Sequence, residues 1–310
     1  MNRVIRDGMK NNKYLRPVNM IVLQMICVSI LWGGTFIAGR VLQFDISPLL
    51  SATVRFLFAS VSLVILLSVT RLGWKKINIR QFAQVLLLGC SGIFIYQVLF
   101  FYGLQLIPAS RAALLVAINP AMIALISYLL WREKITLMKG VGISCCVLGA
   151  TILLSAKTSG VNGFLTNQGD IAILGCVVSW GIYTVAGRNI IREIGAIHTV
   201  AYAVLLGTLL LIIVTGMAGQ LTIEGVAHLT NTDIVSLFYL GVLGSALAYI
   251  WYYQGVDQLG AASAGSFIAL NPLTAVIIGA LFLNEEITFS ALLGGIVIIF
   301  GLWVTNKSRV

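Results

Sequence analysis

Apolar residues run through this chain in long blocks, interrupted by short clusters of charge, glycine and proline. A surface helix of a soluble protein keeps its apolar residues to one stripe, but these blocks are apolar all round. A stretch of roughly 20 such residues is enough to cross a bilayer as a helix. Blocks of that kind fall at residues 18–39, 47–70, 81–103, 109–131, 137–156, 170–188, 198–219, 232–255, 260–283 and 287–305, predicting an all-α membrane protein of ten transmembrane helices. The connections between them are too short to hold a soluble domain, so any chemistry lies inside the helical bundle.

Composition agrees. Of 310 residues 59% are apolar and 10% charged, and the mean hydropathy is +1.00, whereas soluble domains carry roughly 25% charged residues. The net charge of +10 changes meaning once its positions are read. With the N-terminus in the cytoplasm, the inner segments hold Arg3, Arg6, Lys10, Lys13 and Arg16; Arg71, Lys75, Lys76 and Arg80; Arg132, Lys134 and Lys139; Arg188 and Arg192; and Lys307 and Arg309. Outside lie Arg40, Arg111 and Lys157. This is the positive-inside pattern of a multi-pass protein of the cytoplasmic (inner) membrane with both termini cytoplasmic. A nucleic-acid surface would not sort itself by alternate loops. The five cysteines sit in apolar stretches without metal-ligand spacing to His198 or His228, so neither a disulfide framework nor a metal site is expected. The first apolar run lacks a cleavage site followed by a soluble domain, so it reads as a retained helix.

The chain also resembles itself. Residues 32–40 read WGGTFIAGR and residues 180–188 read WGIYTVAGR, an offset of 148. At an offset of 152, Asn119-Pro120 matches Asn271-Pro272, Glu133 matches Glu285, and Gly89, Gly92 and Gly103 match Gly241, Gly244 and Gly255. This order and spacing predict an internal duplication. The expected organisation is a cytoplasmic N-terminal segment (1–17), a first five-helix repeat (18–156), an external linker (157–169), a second repeat (170–305) and a cytoplasmic tail (306–310). Five is odd, so the second repeat is inverted relative to the first, the arrangement that permits alternating access.

The paired WG…AGR segments, the Asn-Pro pairs in the fourth and ninth helices and the WREKIT and LNEEIT helix ends resemble the EamA-type branch of the drug/metabolite transporter superfamily. The resemblance spans roughly residues 20–305, as two EamA repeats. It implies a central cavity lined mainly by helices 1, 3, 4, 6, 8 and 9, and the export of amino acids or related metabolites. Asn284 stands where many relatives carry glycine.

Candidate substrate-facing residues follow from polarity and position. Trp32, Thr35 and Phe36, with Trp180, Tyr183 and Thr184, place aromatic and hydroxyl groups beside glycine near mid-bilayer. The alternative for these segments is close helix packing, which glycine also serves. Gly33 and Gly181 are hinge candidates, as are Pro120 and Pro272, since proline removes a hydrogen bond and clashes with the preceding turn. Asn119 and Asn271 either satisfy those kinks or touch substrate. Before each kink runs a ridge of small residues, Ala109, Ala113 and Ala117, matched by Ala261, Gly265 and Ala269. Tyr96, Gln97 and Phe100, and Tyr249 and Tyr252, form aromatic-polar clusters that face either the cavity or, for Tyr252 and Tyr253 near a helix end, the interfacial belt. Arg55 is the ionisable side chain well inside an apolar run, at a cost of roughly 2.5–3.5 kcal/mol on insertion scales. It is either a contact for a substrate carboxylate or a structural arginine that bonds helix-end carbonyls or snorkels outward. Glu133 and Glu285 read as helix-end caps or ion-pair partners of neighbouring basic residues, with a role in coupling as the alternative.

The ten acids, Asp7, Asp45, Glu133, Asp170, Glu193, Glu224, Asp233, Asp257, Glu285 and Glu286, all map to loops or helix ends. No mid-membrane carboxylate or histidine offers a proton relay or a counter-ion for an organic cation. No GxxxxGK[ST] loop is present to hold ATP. The expected function is therefore a secondary transporter, not an enzyme, moving neutral, zwitterionic or anionic metabolites by facilitated diffusion or exchange, without a cofactor. That transport is outward, with amino acids foremost, is what the EamA resemblance implies. The expected partners are a small-molecule substrate and the lipid bilayer, in a monomer or weak homodimer. Two other functions stand beside it: a flippase for lipid-linked sugars, and a membrane-embedded enzyme, which would need an interfacial cluster of His, Asp or Glu.

Overall fold

The computed structural model describes residues 18–42, 46–107, 112, 115–132, 135–155, 168–221, 229–283 and 287–307. The helices are α1 (Val18–Val41), α2 (Pro48–Val69), α3 (Ile79–Leu88, Gly89–Ile95 and Tyr96–Leu106 in sequence), α4 (Asn119–Trp131), α5 (Leu137–Ser155), α6 (Gln168–Ile194), α7 (Ala196–Met217), α8 (Asn231–Phe238, Tyr239–Leu247 and Ala248–Leu259), α9 (Ala261–Ser266, Phe267–Ala269 and Leu270–Leu283) and α10 (Phe289–Lys307). Among the described residues, eight helices are long and apolar enough to cross a membrane, and shorter apolar helices cover Asn19–Thr35 and Asn119–Trp131. Large apolar side chains are exposed along the outer faces, such as Leu57, Val61 and Ile65 on α2 and Ile296, Ile299 and Trp303 on α10. Such faces suit lipid rather than water. The protein is a multi-pass membrane protein.

Local chemistry explains the helix boundaries. Ser47 accepts a hydrogen bond from the Leu50 amide at 3.1 Å and Pro48 occupies the first turn of α2, where its missing N–H costs nothing. Capping boxes open α3 and α8 at repeat-equivalent positions. In α3 Asn78 and Gln81 exchange backbone–side-chain bonds of 3.0 and 2.9 Å. In α8 Thr230 and Asp233 do so at 3.0 and 3.2 Å, satisfying two of the orphan donors of each helix start. The Asn-Pro kink shows in both repeats. The second holds a 3-10 turn at Phe267–Ala269 just before Asn271-Pro272. In the first, Ile118 flanks a fresh helix start at Asn119 with Pro120 inside its first turn. Both breaks follow from the proline ring displacing the carbonyl four residues back.

The two halves pack as a self-complementary pair. On α5 a methyl group at Gly149 would come within 2.7 Å of the Ile298 backbone and 2.8 Å of the Gly294 carbonyl. On α10, Gly301 stands in the same relation to Cys146 and Gly142, each at 2.7 Å. Those three positions are the equivalents, related by an offset of 152, of the first three. As position climbs along α5 its partner falls along α10, so the helices cross antiparallel about a local two-fold axis. A second crossing obeys the same rule. Gly89 of α3 lies against Ala203 and Gly207 of α7, and its equivalent Gly241 of α8 lies against Arg55 and Ala59 of α2. Near the axis Ser60 and Thr208, themselves equivalent, hydrogen-bond at 2.9 Å. Small residues let these backbones approach closely, which is what holds helices together where the surrounding lipid offers no hydrophobic drive.

Candidate functional site

Where the halves meet, aromatic residues from four helices converge. Trp32 of α1 lies 5.5 Å from Trp180 of α6 and 5.2 Å from Tyr252 of α8. Trp180 in turn lies 5.6 Å from Tyr96 of α3, 5.1 Å from Tyr183 and 5.3 Å from Tyr249. Tyr96 stacks on Phe100 at 5.9 Å, and Tyr183 on Tyr253 at 4.6 Å. Edge-to-face and tilted pairs dominate around Trp32 and Trp180, the geometry that ring quadrupoles favour. The cluster is closed by backbone contact. Tyr183 lies flat against Gly92, where any side chain would collide with its ring, and at the equivalent place Thr35 lies against Gly244. Both glycines belong to π-helical segments, Gly89–Ile95 in α3 and Tyr239–Leu247 in α8. Such segments arise often at functional sites because their wider turn re-aims the residues around it.

Polar groups in this setting are paired or conspicuous. The Trp32 indole N–H donates to the Gly244 carbonyl at 2.9 Å. Thr184 and Tyr252 share a 3.0 Å hydrogen bond, and the Tyr253 hydroxyl donates to the Tyr183 carbonyl at 2.8 Å. Among the described residues seven buried side-chain atoms have no hydrogen-bond partner, and they include Trp180 Nε1, the Tyr183 hydroxyl, Asn119 Oδ1 and Asn271 Oδ1.

Arg55 completes the site. Its backbone lies against Gly241 of α8, and its Nε donates to Ser245 Oγ at 2.9 Å. Ser245 passes the bond on to the Leu240 carbonyl at 2.9 Å. The guanidinium carbon stands 5.4 Å from the Phe56 ring centroid, and Phe56 in turn packs against Tyr249 at 6.3 Å between ring centroids. Among the described residues no carboxylate pairs with it. The ion pair of Arg192 with Asp257, at 3.6 Å, is solvent-exposed.

The structure therefore brings Trp32, Thr35, Tyr96, Phe100, Trp180, Tyr183, Thr184, Tyr249 and Tyr252 into one neighbourhood, with Gln97 buried on α3. Tyr253, which the sequence offered to the interfacial belt, is fully buried in the same cluster. Gly33 and Gly181 sit inside continuous helix at matching crossings, Gly33 against Thr274 and Gly181 against Ile126. Pro120 and Pro272 lie at the helix breaks, and Asn119 is buried beside the first. Phe36 belongs to α1, but its side chain lies outside the described residues, as do Glu133, Glu285, Ala109 and Ala113. Sequence reasoning missed Ser245 and Phe56, which become visible only through what Arg55 touches. Among the described residues no group of His, Cys, Asp or Glu is placed to hold a metal ion.

Comparison with known proteins supports this architecture. A solved crystal structure superposes with a TM-score of 0.79 over 95% of this chain and 100% of that one, at 17% identity, which shows a shared fold. The uncharacterized transporter YoaV of Bacillus subtilis is 26% identical over 92% of this chain and 96% of its own. An uncharacterized transporter of Archaeoglobus fulgidus is 26% identical over 93% and 97%. A protein of Streptantibioticus cattleyicolor named as a probable terminal-alkyne amino-acid exporter is 26% identical over 92% and 93%. The EamA-like transporter family matches this sequence twice, over residues 19–155 and again over 167–307. The chain belongs to the EamA-like transporter family and is a membrane transporter built from two EamA repeats.

Proposed function

We propose that this protein is a secondary transporter that carries small metabolites, foremost amino acids and related zwitterions or anions, outward across the cytoplasmic membrane. The observation that carries the reading is the aromatic centre. It is assembled from α1, α3, α6 and α8, two helices from each repeat, so any rearrangement of one repeat against the other reshapes it. Ten spans with both termini cytoplasmic make the antiparallel crossing of α5 with α10 the mark of inverted repeats, their two-fold axis lying in the bilayer plane. Each half can then take the other's conformation, which is the geometric basis of alternating access. The helix breaks at Pro120 and Pro272 and the π-helical segments of α3 and α8 supply the places where helices bend. The exporter of Streptantibioticus cattleyicolor, an amino-acid carrier by name, supports the substrate class.

Coupling follows from the placement of acids. The described carboxylates, Asp170, Glu193, Asp233 and Asp257, all fall in terminal turns of helices or beside helix ends, and none reaches the aromatic centre. A proton-driven step needs a titratable group in the path, so transport is facilitated diffusion or exchange. The test is uptake of a labelled amino-acid panel into proteoliposomes with and without an imposed pH gradient. Saturable uptake indifferent to the gradient is expected. Uptake that depends on the gradient overturns the coupling argument, and absence of any uptake overturns the amino-acid assignment.

A further inference from the structure

We propose that the aromatic centre is a carboxylate site in which Arg55 grips the anionic group, with Trp180 and Tyr183 as additional donors, and that a substrate's amine makes no essential contact. The proposal rests on the transport reading above and names what the transported molecules share.

The argument begins with the cost of the charge. A guanidinium stays protonated at any accessible pH, and removing it from water leaves an energy debt unless an anion or several acceptors surround it. Arg55 has one acceptor, Ser245 Oγ, bound through Nε. That single bond fixes the plane and direction of the guanidinium, because Ser245 is itself tied to the Leu240 carbonyl. The terminal nitrogens make no hydrogen bond in the described structure, and the side chain is only half-buried while Phe56, Ala59 and Tyr249 around it are buried. An arginine kept for structure alone would spend its terminal N–H groups on carbonyls. This one presents them, and a pair of parallel N–H groups is the complement of a carboxylate.

Two further observations point the same way. Trp180 Nε1 and the Tyr183 hydroxyl are buried without a partner. Trp180 and Tyr183 both pack against Tyr249, at 5.3 and 5.8 Å between ring centroids, and Tyr249 lies four residues beyond Ser245, the acceptor that holds Arg55. Unpaired buried donors are uncommon in folded proteins. These two lie on α6, in the repeat opposite to Arg55 on α2, and an anion drawn into the aromatic centre by the guanidinium is the partner proposed for them.

The opposite charge has no counter-ion among the described residues. An ammonium would meet aromatic faces, a cation–π contact weaker than a bidentate ion pair, and the unpaired Asn119 and Asn271 oxygens. The site thus discriminates on the acid and tolerates loss of the amine. The surrounding Trp32, Tyr96, Phe100 and Tyr252 rings require an apolar body on the same molecule. The substrate class is therefore small apolar monocarboxylates, in which amino acids are included through their carboxylate.

The site reports on its own occupancy, because Trp32 and Trp180 form part of it. The experiment is titration of the purified full-length protein in lipid nanodiscs and chloride-free buffer, followed by intrinsic tryptophan fluorescence. The ligands are L-leucine, its amine-free analogue 4-methylpentanoate, and the corresponding amides, leucinamide and 4-methylpentanamide. The two carboxylates are expected to bind within about threefold of each other and at least about tenfold tighter than either amide, the scale of a bidentate charge-assisted pair. Arg55→Gln should bring acid and amide to equal affinity, and Arg55→Lys should restore part of the preference by keeping the charge without the fork. Each variant's thermal midpoint checks that it is folded.

An amide that binds as tightly as its acid, an acid preference that survives Arg55→Gln in a folded variant, or no binding of either carboxylate at millimolar concentration overturns the proposal. A preference for leucinamide over leucine does so as well. These results leave the transport reading standing wherever proteoliposomes take up any compound. Acid-selective binding without uptake of any compound keeps the site and overturns the transport reading instead.

Discussion

Trp32 and Trp180 occupy equivalent places in the two repeats, yet their indole nitrogens fare differently. Trp32 donates to Gly244 at 2.9 Å. The equivalent acceptor for Trp180 is the Gly92 carbonyl, and Trp180 Nε1 remains unpaired. Replacing either ring by phenylalanine removes similar apolar area, so the difference between the two variants isolates the hydrogen bond. Trp32→Phe strands a buried carbonyl at a cost of about 1–3 kcal/mol. Trp180→Phe removes a donor that has nothing to lose. The first is expected to lower the thermal midpoint in detergent clearly more than the second, as measured by loss of monodisperse protein on heating. An equal or larger drop for Trp180→Phe means that its nitrogen is paired in the resting protein. None of this difference could be seen from the sequence, where the two segments read almost alike. Arg55 poses the same problem more sharply. Its depth in an apolar run was plain, but its direction was not, because its repeat equivalent is Ala203 and the duplication offers no second copy to compare.

Helices were legible as apolar blocks, while their ends and internal breaks were less so. The block at 170–188 stops at the first arginine, but α6 runs from Gln168 to Ile194. Hydropathy marks where side chains leave an apolar setting, and backbone hydrogen bonding continues beyond it, here carrying Arg192 to its surface pair with Asp257. The π-helical segments of α3 and α8 left only a faint trace, the matched glycines 89 and 92 and 241 and 244. What those glycines do depends on the partner helix, which the sequence alone does not place. The glycines of α5 and α10 permit a direct test. A leucine at Gly149 or Gly301 would meet opposing backbone that cannot yield. Overpacking of this kind costs typically 1–3 kcal/mol or more. Gly149→Leu and Gly301→Leu are expected to destabilise by similar amounts, because the two positions are images of each other across the axis. Gly216→Ala is the control. Nothing lies within 4 Å of the added carbon, and the gain in helix propensity of roughly 0.5–1 kcal/mol should leave stability unchanged or slightly raised. Thermal unfolding of the three variants in one detergent compares them, and unequal losses at 149 and 301 would contradict the two-fold packing.

At the scale of the molecule, the pairing of equivalent positions at 60 and 208 and the mirrored contacts around 146 and 298 tie the duplication in the sequence to an antiparallel arrangement in space. The family fold could be named from the sequence because duplication repeats every signal twice, so a span weak in one half is supported by its copy. The functional asymmetry could not be named that way, because it resides where the copies differ: Arg55 against Ala203, Tyr249 against Gln97, Thr35 against Tyr183. An inverted pair of repeats predicts a definite membrane topology, which the charge pattern specifies independently. A fluorescent protein fused after residue 310 should fold and fluoresce, as it does in the cytoplasm. Alkaline phosphatase inserted within residues 157–169, between the repeats, should be active, as it is only outside. The two halves cannot be parallel if both results hold, since α5 and α10 then end on opposite sides of the membrane. Activity of both fusions on the same side would require an even count in one half, and the antiparallel packing of α5 on α10 would then have to join helices of one orientation, which the reciprocal contacts of Gly149 and Gly301 exclude.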